Sequence, residues 1–200
     1  MNEQRIKKAK AIFDSSGPVV RNALLLENKF CSKDVAELAE KGYIFKIKPG
    51  YYAWQHEMEK LSDIEFVSQF LPQAVFAMYT AAQYHNMTTV NPLTVDVALP
   101  AEMRTPILPD YPPLTIYKSV RNIYKIGIEE IKMQNCTVKM YDRERTVCDF
   151  FRMRLQLGED IALEVLKNYM AAAKNLQKLY EYADALKVKS VIKPYVEALT

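Results

Sequence analysis

The sequence predicts an α+β protein in two parts: a small N-terminal domain of three helices and a hairpin, and a larger C-terminal domain with a small β-sheet packed by helices. Three observations lead there. Half of the 200 residues are hydrophobic, which is enough to build real cores. The first sixty residues carry three helical periods and then a single hairpin signal. Beyond them, segments of period two give way to four helical stretches that run to the end of the chain. Five glycines against ten prolines, with eight Phe and thirteen Tyr, exclude collagen-like and low-complexity architectures.

Residues 4–15 place Ile6, Ala9, Ile12 and Phe13 on one helical face, with Arg5, Lys7, Lys8 and Lys10 around the rest. Ser15, Ser16, Gly17 and Pro18 break this first helix, and Pro18 suits the first turn of a second that runs to about Leu26. The third helix has the clearest boundaries: Ser32 as N-cap, Asp34 in the first turn, Val35, Leu38 and Ala39 as the buried stripe, and Gly42 as the left-handed stop. Tyr43 to Ile47 and Tyr51 to Trp54 then read as two strands around the turn Lys48-Pro49-Gly50.

Helix, helix, helix, hairpin is the order of a winged helix-turn-helix, in which the third helix enters the major groove and the hairpin touches the flanking backbone. The expected DNA contacts are Lys33, Glu37 and Lys41 on that helix and Lys46 and Lys48 on the wing, with Lys7 and Lys8 of the first helix adding phosphate contacts. Charge agrees in sign. Residues 1–60 hold eleven Lys/Arg against eight Asp/Glu, whereas residues 61–200 hold sixteen of each. Asp34, Glu37 and Glu40 count against the reading, because they put three carboxylates on a helix that would approach a polyanion.

The polar stretch 57–63 carries the expected boundary between domains 1–60 and 61–200. After it, a helix stops at Pro72, a second covers residues 77–85, and strands are expected over 94–99 and 114–117 with a proline-rich loop between them. Residues 126–133 and 136–140 form a hairpin turning at Gln134-Asn135, and four helices follow from Asp142.

Three separated segments resemble the AbiEi-type antitoxins of bacterial abortive-infection toxin-antitoxin operons. They are Leu38-Ala39-Glu40-Lys41-Gly42-Tyr43-Ile44 running into Lys48-Pro49-Gly50-Tyr51-Tyr52-Ala53; Thr80-Ala81-Ala82-Gln83-Tyr84-His85 with Asn91-Pro92 behind it; and Tyr141-Asp142-Arg143-Glu144-Arg145-Thr146-Val147-Cys148-Asp149. The resemblance implies an N-terminal winged helix that binds repeated sequences in its own promoter and represses the operon. It also implies a C-terminal domain that counters a nucleotidyltransferase-like toxin, without a requirement for a stable complex. Family members often carry Arg in the wing where Lys46 and Lys48 stand here, which exchanges a fork-shaped donor for a point charge.

Arg143, Arg145 and Arg152 are the candidate antitoxin surface. The alternative for the cluster Glu144, Arg145, Asp149, Arg152 and Arg154 is ion pairing along a helix, since Asp149 lies four residues from Arg145. His85 and Cys148 read as packing residues. A metal-dependent nuclease is the enzymatic rival, built on Glu130-Ile131-Lys132 with Asp96 or Asp110. A winged helix that docks proteins instead of DNA is the third reading. Three widely spaced cysteines and two histidines give no zinc spacing and suit a reducing compartment, so no metal or cofactor is expected. A polar N-terminus and the absence of a long apolar run predict a cytoplasmic protein without a membrane partner.

Overall fold

The structure, a computed structural model, describes residues 2–58 and 60–199. It divides into two compact units, the first formed by residues 1–73 with 105–113 and 134–136, the second by 74–104, 114–133 and 137–200. The boundary therefore lies later than residue 60, and the first unit takes in two short segments from further along the chain.

In the first unit, helix α1 (Glu3–Ser16) starts where the Asn2 side chain accepts the Arg5 N–H at 2.9 Å and stops at Gly17, whose φ is +101°. The second helix expected from Pro18 is shorter. Strand β1 (Val19–Arg21) precedes α2 (Asn22–Glu27), because Val19 and Val20 are buried in a ladder with the hairpin instead of on a helical stripe. Helix α3 (Ser32–Glu40) begins one residue earlier in its cap than expected: Cys31 is the N-cap, and its N–H donates to the Asp34 carboxylate at 2.8 Å. Gly42, at φ +73°, ends it as expected, and the Tyr43 N–H closes the turn on the Leu38 carbonyl at 3.0 Å.

Strands β2 (Ile44–Lys48) and β3 (Tyr51–Trp54) complete an antiparallel sheet of order β1-β3-β2. Its helix-facing core joins Ala9, Phe13, Leu25, Phe30, Val35, Leu38, Ile44 and Trp54, with the Phe13 and Trp54 rings 5.3 Å apart. Two further helices follow, α4 (Gln55–Met58) and α5 (Asp63–Phe70). The second has a reciprocal cap, in which Ser62 Oγ accepts the Glu65 N–H and Glu65 accepts the Ser62 N–H.

The second unit is a mixed five-stranded sheet of order β6-β5-β4-β8-β7, from β4 (Val75–Phe76), β5 (Val95–Pro100), β6 (Leu114–Ser119), β7 (Ile128–Lys132) and β8 (Thr137–Tyr141). The two-residue β4 is central, antiparallel to β5 and parallel to β8. Helix α6 (Met78–Tyr84) follows β4 directly, and the short α7 (Arg121–Tyr124) precedes β7. Helices α8 (Arg143–Leu157), α9 (Glu159–Met170), α10 (Leu176–Ala185) and α11 (Lys189–Ala198) complete the chain. The core of this unit gathers Val147, Phe150, Phe151, Val165, Leu166, Leu179 and Ile192 with Val75, Ala98 and Tyr141. Among the described residues no helix is long and apolar enough to cross a membrane.

Candidate nucleic-acid interface

With Val35 and Leu38 buried, the helical repeat turns Lys33, Ala36, Glu37 and Glu40 outward on α3, and Lys41 follows as its C-cap. Lys33 is exposed; Lys41 Nζ and Glu37 Oε1 pair at 2.9 Å across one turn. Two of the three carboxylates on this helix, Asp34 and Glu37, are paired with cations. Arg5 of α1 clasps Asp34 with both arms of its fork, Nε to Oδ1 at 3.1 Å and Nη2 to Oδ2 at 2.6 Å. That bidentate contact, with the Cys31 N–H, holds the Asp34 carboxyl well below the usual carboxylate range. The same guanidinium donates to the Lys29 carbonyl at 2.7 Å and lies 4.7 Å from the Phe30 ring centre, so Arg5 ties α1 to the start of α3.

Of the other expected contacts, Lys7 is exposed on α1, while Lys8 donates to the Asn28 carbonyl at 3.0 Å at the end of α2. Lys46 is exposed on the hairpin and opposite Tyr52, on the sheet face shared with Ile44 and Trp54. Lys48 is a correction. The ladder pairs Lys46 with Tyr52 and Lys48 with Tyr51, so Ile47 is an extra residue and the bulge turns Lys48 to the opposite face. There it is 9% exposed, with its ammonium 3.4 Å from the Phe70 carbonyl and 4.7 and 4.9 Å from the Tyr51 and Phe70 ring centres. Burial lowers its pKa, and a folded-in lysine cannot serve a phosphate. Arg21, opposite Tyr51 on β1 and exposed 6.0 Å from its ring centre, stands on the sheet face that carries Lys48, away from Lys46.

In the second unit the three arginines separate. Arg145 is fully buried, which corrects its place on an antitoxin surface. Its Nε donates to Asp149 Oδ2 at 2.9 Å, its Nη1 to the Ile123 and Ile126 carbonyls at 2.6 and 2.8 Å, and its plane lies 4.1 Å from the Tyr141 ring. Gly127 makes room for it, since a Cβ there would lie 2.5 Å from Arg145 Cβ. Arg143 donates to the Tyr169 and Ala173 carbonyls. Arg152 reaches the surface, held by one bond to Asp149 Oδ1 at 3.1 Å. Beside them Lys178 bridges the buried Asp142 and Glu144 at 3.0 and 3.2 Å.

His85 caps α6, and its ring Nε2 lies 2.9 Å from the Tyr141 carbonyl oxygen. Cys148 is buried in the core, which pushes its thiol pKa up and leaves it poorly suited to act as a thiolate. Asp96 and Glu130 stand three strand spacings apart, on β5 and β7, about 14 Å at the usual spacing. They do not form a common magnesium site.

No protein-family model matches the sequence, and comparison with curated proteins gives no match. Among solved structures the chain is similar to the RV2827C protein from Mycobacterium tuberculosis, with a TM-score of 0.57 and 12% identity over 96% of this chain and 78% of that one. At such identity the likeness is one of fold: a mixed α+β chain with small sheets.

Proposed function

We propose that the first unit is a winged helix-turn-helix that binds DNA, and that the chain is an antitoxin and autorepressor of a bacterial abortive-infection operon, countering a nucleotidyltransferase-like toxin. One observation carries the DNA-binding half. The order α1-β1-α2-α3-β2-β3 with a β1-β3-β2 sheet leaves the outer face of α3 exposed beside a hairpin whose Lys46 is also exposed. Lys33, Glu37 and Lys41 then face the groove, with Glu37 able to accept from a cytosine amine, and Lys46 and Lys7 meet phosphates. Neutralisation of Asp34 by Arg5 favours this use of α3. The antitoxin half rests on the resemblance of the segments at 38–53, 80–92 and 141–149.

Fluorescence anisotropy with DNA from upstream of the chain's own gene, against scrambled DNA of equal length, tests the proposal. Preference for the upstream DNA supports operator binding. Equal affinity for both contradicts operator recognition and leaves phosphate binding alone, and no binding to either moves the first unit to a protein-docking role. Rescue of toxin-expressing cells by the full chain tests the second half, and failure of the rescue contradicts it.

A further inference from the structure

Helices α2 and α3 end in the same kind of turn, yet the two differ at the residue that must be left-handed. After α3 the Gly42 N–H donates to the Ala39 carbonyl and the Tyr43 N–H to the Leu38 carbonyl, with Gly42 at φ +73°. After α2 the Lys29 N–H donates to the Leu26 carbonyl at 2.9 Å and the Phe30 N–H to the Leu25 carbonyl at 3.0 Å, with Lys29 at φ +66°. A lysine takes that conformation at a cost that glycine avoids. Such a residue persists where its surroundings over-determine it, and here the surroundings come from α1. Arg5 Nη2 donates to the Lys29 carbonyl at 2.7 Å and Lys8 Nζ to the Asn28 carbonyl at 3.0 Å, and both cations lie over the Phe30 ring, 4.7 and 5.9 Å from its centre. The Arg5 fork also holds Asp34 at both oxygens, in the first turn of α3. One guanidinium therefore grips both ends of the segment 29–34 that joins α2 to α3.

We propose that Arg5 is a positioning residue: through its hold on this turn it fixes the angle at which α3 meets the groove, and so sets how well the chain tells one DNA sequence from another. The proposal rests on the DNA-binding reading of the first unit. The two kinds of DNA contact differ in their tolerance of movement. A hydrogen bond from α3 to a base edge fails once donor and acceptor separate beyond about 3.5 Å, whereas the attraction of a lysine for a phosphate falls only slowly with distance. A loosened α3 therefore loses discrimination before it loses affinity.

Fluorescence anisotropy of the full chain with upstream and scrambled DNA tests this, for the wild type, Arg5→Lys and Asp34→Asn, at a temperature where far-UV circular dichroism shows all three folded. Arg5→Lys keeps the charge and loses the planar fork; Asp34→Asn keeps Arg5 and removes the carboxylate that the fork holds. The ratio of upstream to scrambled affinity should fall about tenfold in each variant, roughly the discrimination of one base contact. Affinity for scrambled DNA should stay within about twofold of wild type in Arg5→Lys, and should be equal or tighter in Asp34→Asn, which has one carboxylate fewer. The paired variants separate the other roles open to Arg5. A base contact made by Arg5 itself would lower the ratio in Arg5→Lys alone, because Asp34→Asn leaves that side chain in place. A purely electrostatic role would move both affinities together in Asp34→Asn and leave the ratio at its wild-type value. A wild-type preference retained in full by either folded variant overturns the proposal alone. A wild-type chain that prefers neither DNA overturns the reading and the proposal together.

Discussion

Replacing Arg145 with Met should unlock the second unit. Arg145 is wholly buried and makes one ion pair, two carbonyl bonds and a ring contact. Methionine fills part of the volume but returns none of the donors, so the Ile123 and Ile126 carbonyls lose theirs and Asp149 keeps only the part-exposed Arg152. Removing one partner of a buried pair costs about 3–5 kcal/mol. For a domain of this size that lowers the melting temperature by roughly 10–20 °C. Calorimetry on the full chain reads the loss in the transition of the second unit. Arg152→Ala is the internal comparison, because a part-exposed pair contributes about 0–1 kcal/mol. A loss below about 1 kcal/mol for Arg145→Met would refute the assignment of Arg145 as the lock of this unit. A practical corollary concerns antitoxin assays: loss of function in Arg145 variants reports unfolding, so Arg143 and Arg152 are the arginines on which a surface role can be tested.

Three further outcomes follow from particular contacts. Gly127→Ala places a Cβ 2.5 Å from Arg145 Cβ at φ +74°, and Gly42→Ala meets nothing within 4 Å at φ +73°. The second should cost about 1–2 kcal/mol for the backbone alone and the first at least about 1 kcal/mol more, as read from urea midpoints. Because burial lowers the Lys48 pKa, the unfolded chain holds that proton to higher pH than the folded one, so stability of the first unit rises as pH approaches the ordinary value of 10.5. Lys48→Met should abolish that rise in denaturation measured across alkaline pH. Asp34 has the opposite sign: its contribution is complete above the ordinary value of 3.8 and is lost as pH falls toward its depressed folded pKa. Asp34→Asn should therefore be less stable than wild type at neutral pH, with the difference shrinking in strongly acidic urea titrations.

The long elements were legible because their periods are long. Helix α3 was bounded by its acidic first turn and Gly42, and the β7–β8 hairpin by alternation on either side of Gln134-Asn135. The short ones were not. Strand β1 has three residues and β4 two, too few for any period, and Pro18 imitated a helix start. Lys48 was misplaced for a definite reason: alternation puts residues 44, 46 and 48 on one face, and the bulge at Ile47 reverses the last of them. The i,i+4 spacing of Arg145 and Asp149 announced a pair, but burial of α8 from Glu144 to Phe151 leaves no polar face by which the depth of that pair could be read.

The central claim is that Lys46, and not Lys48, meets DNA beside α3. The salt dependence of upstream-DNA affinity tests it most directly, for the wild type, Lys46→Ala and Lys48→Met. Each phosphate contact contributes about 0.9 to the slope of log affinity against log salt. Lys46→Ala should flatten the slope by about one contact, and Lys48→Met should leave it unchanged. Equal slopes for all three chains, or a flatter slope only for Lys48→Met, would contradict the placement of the wing on the phosphate backbone.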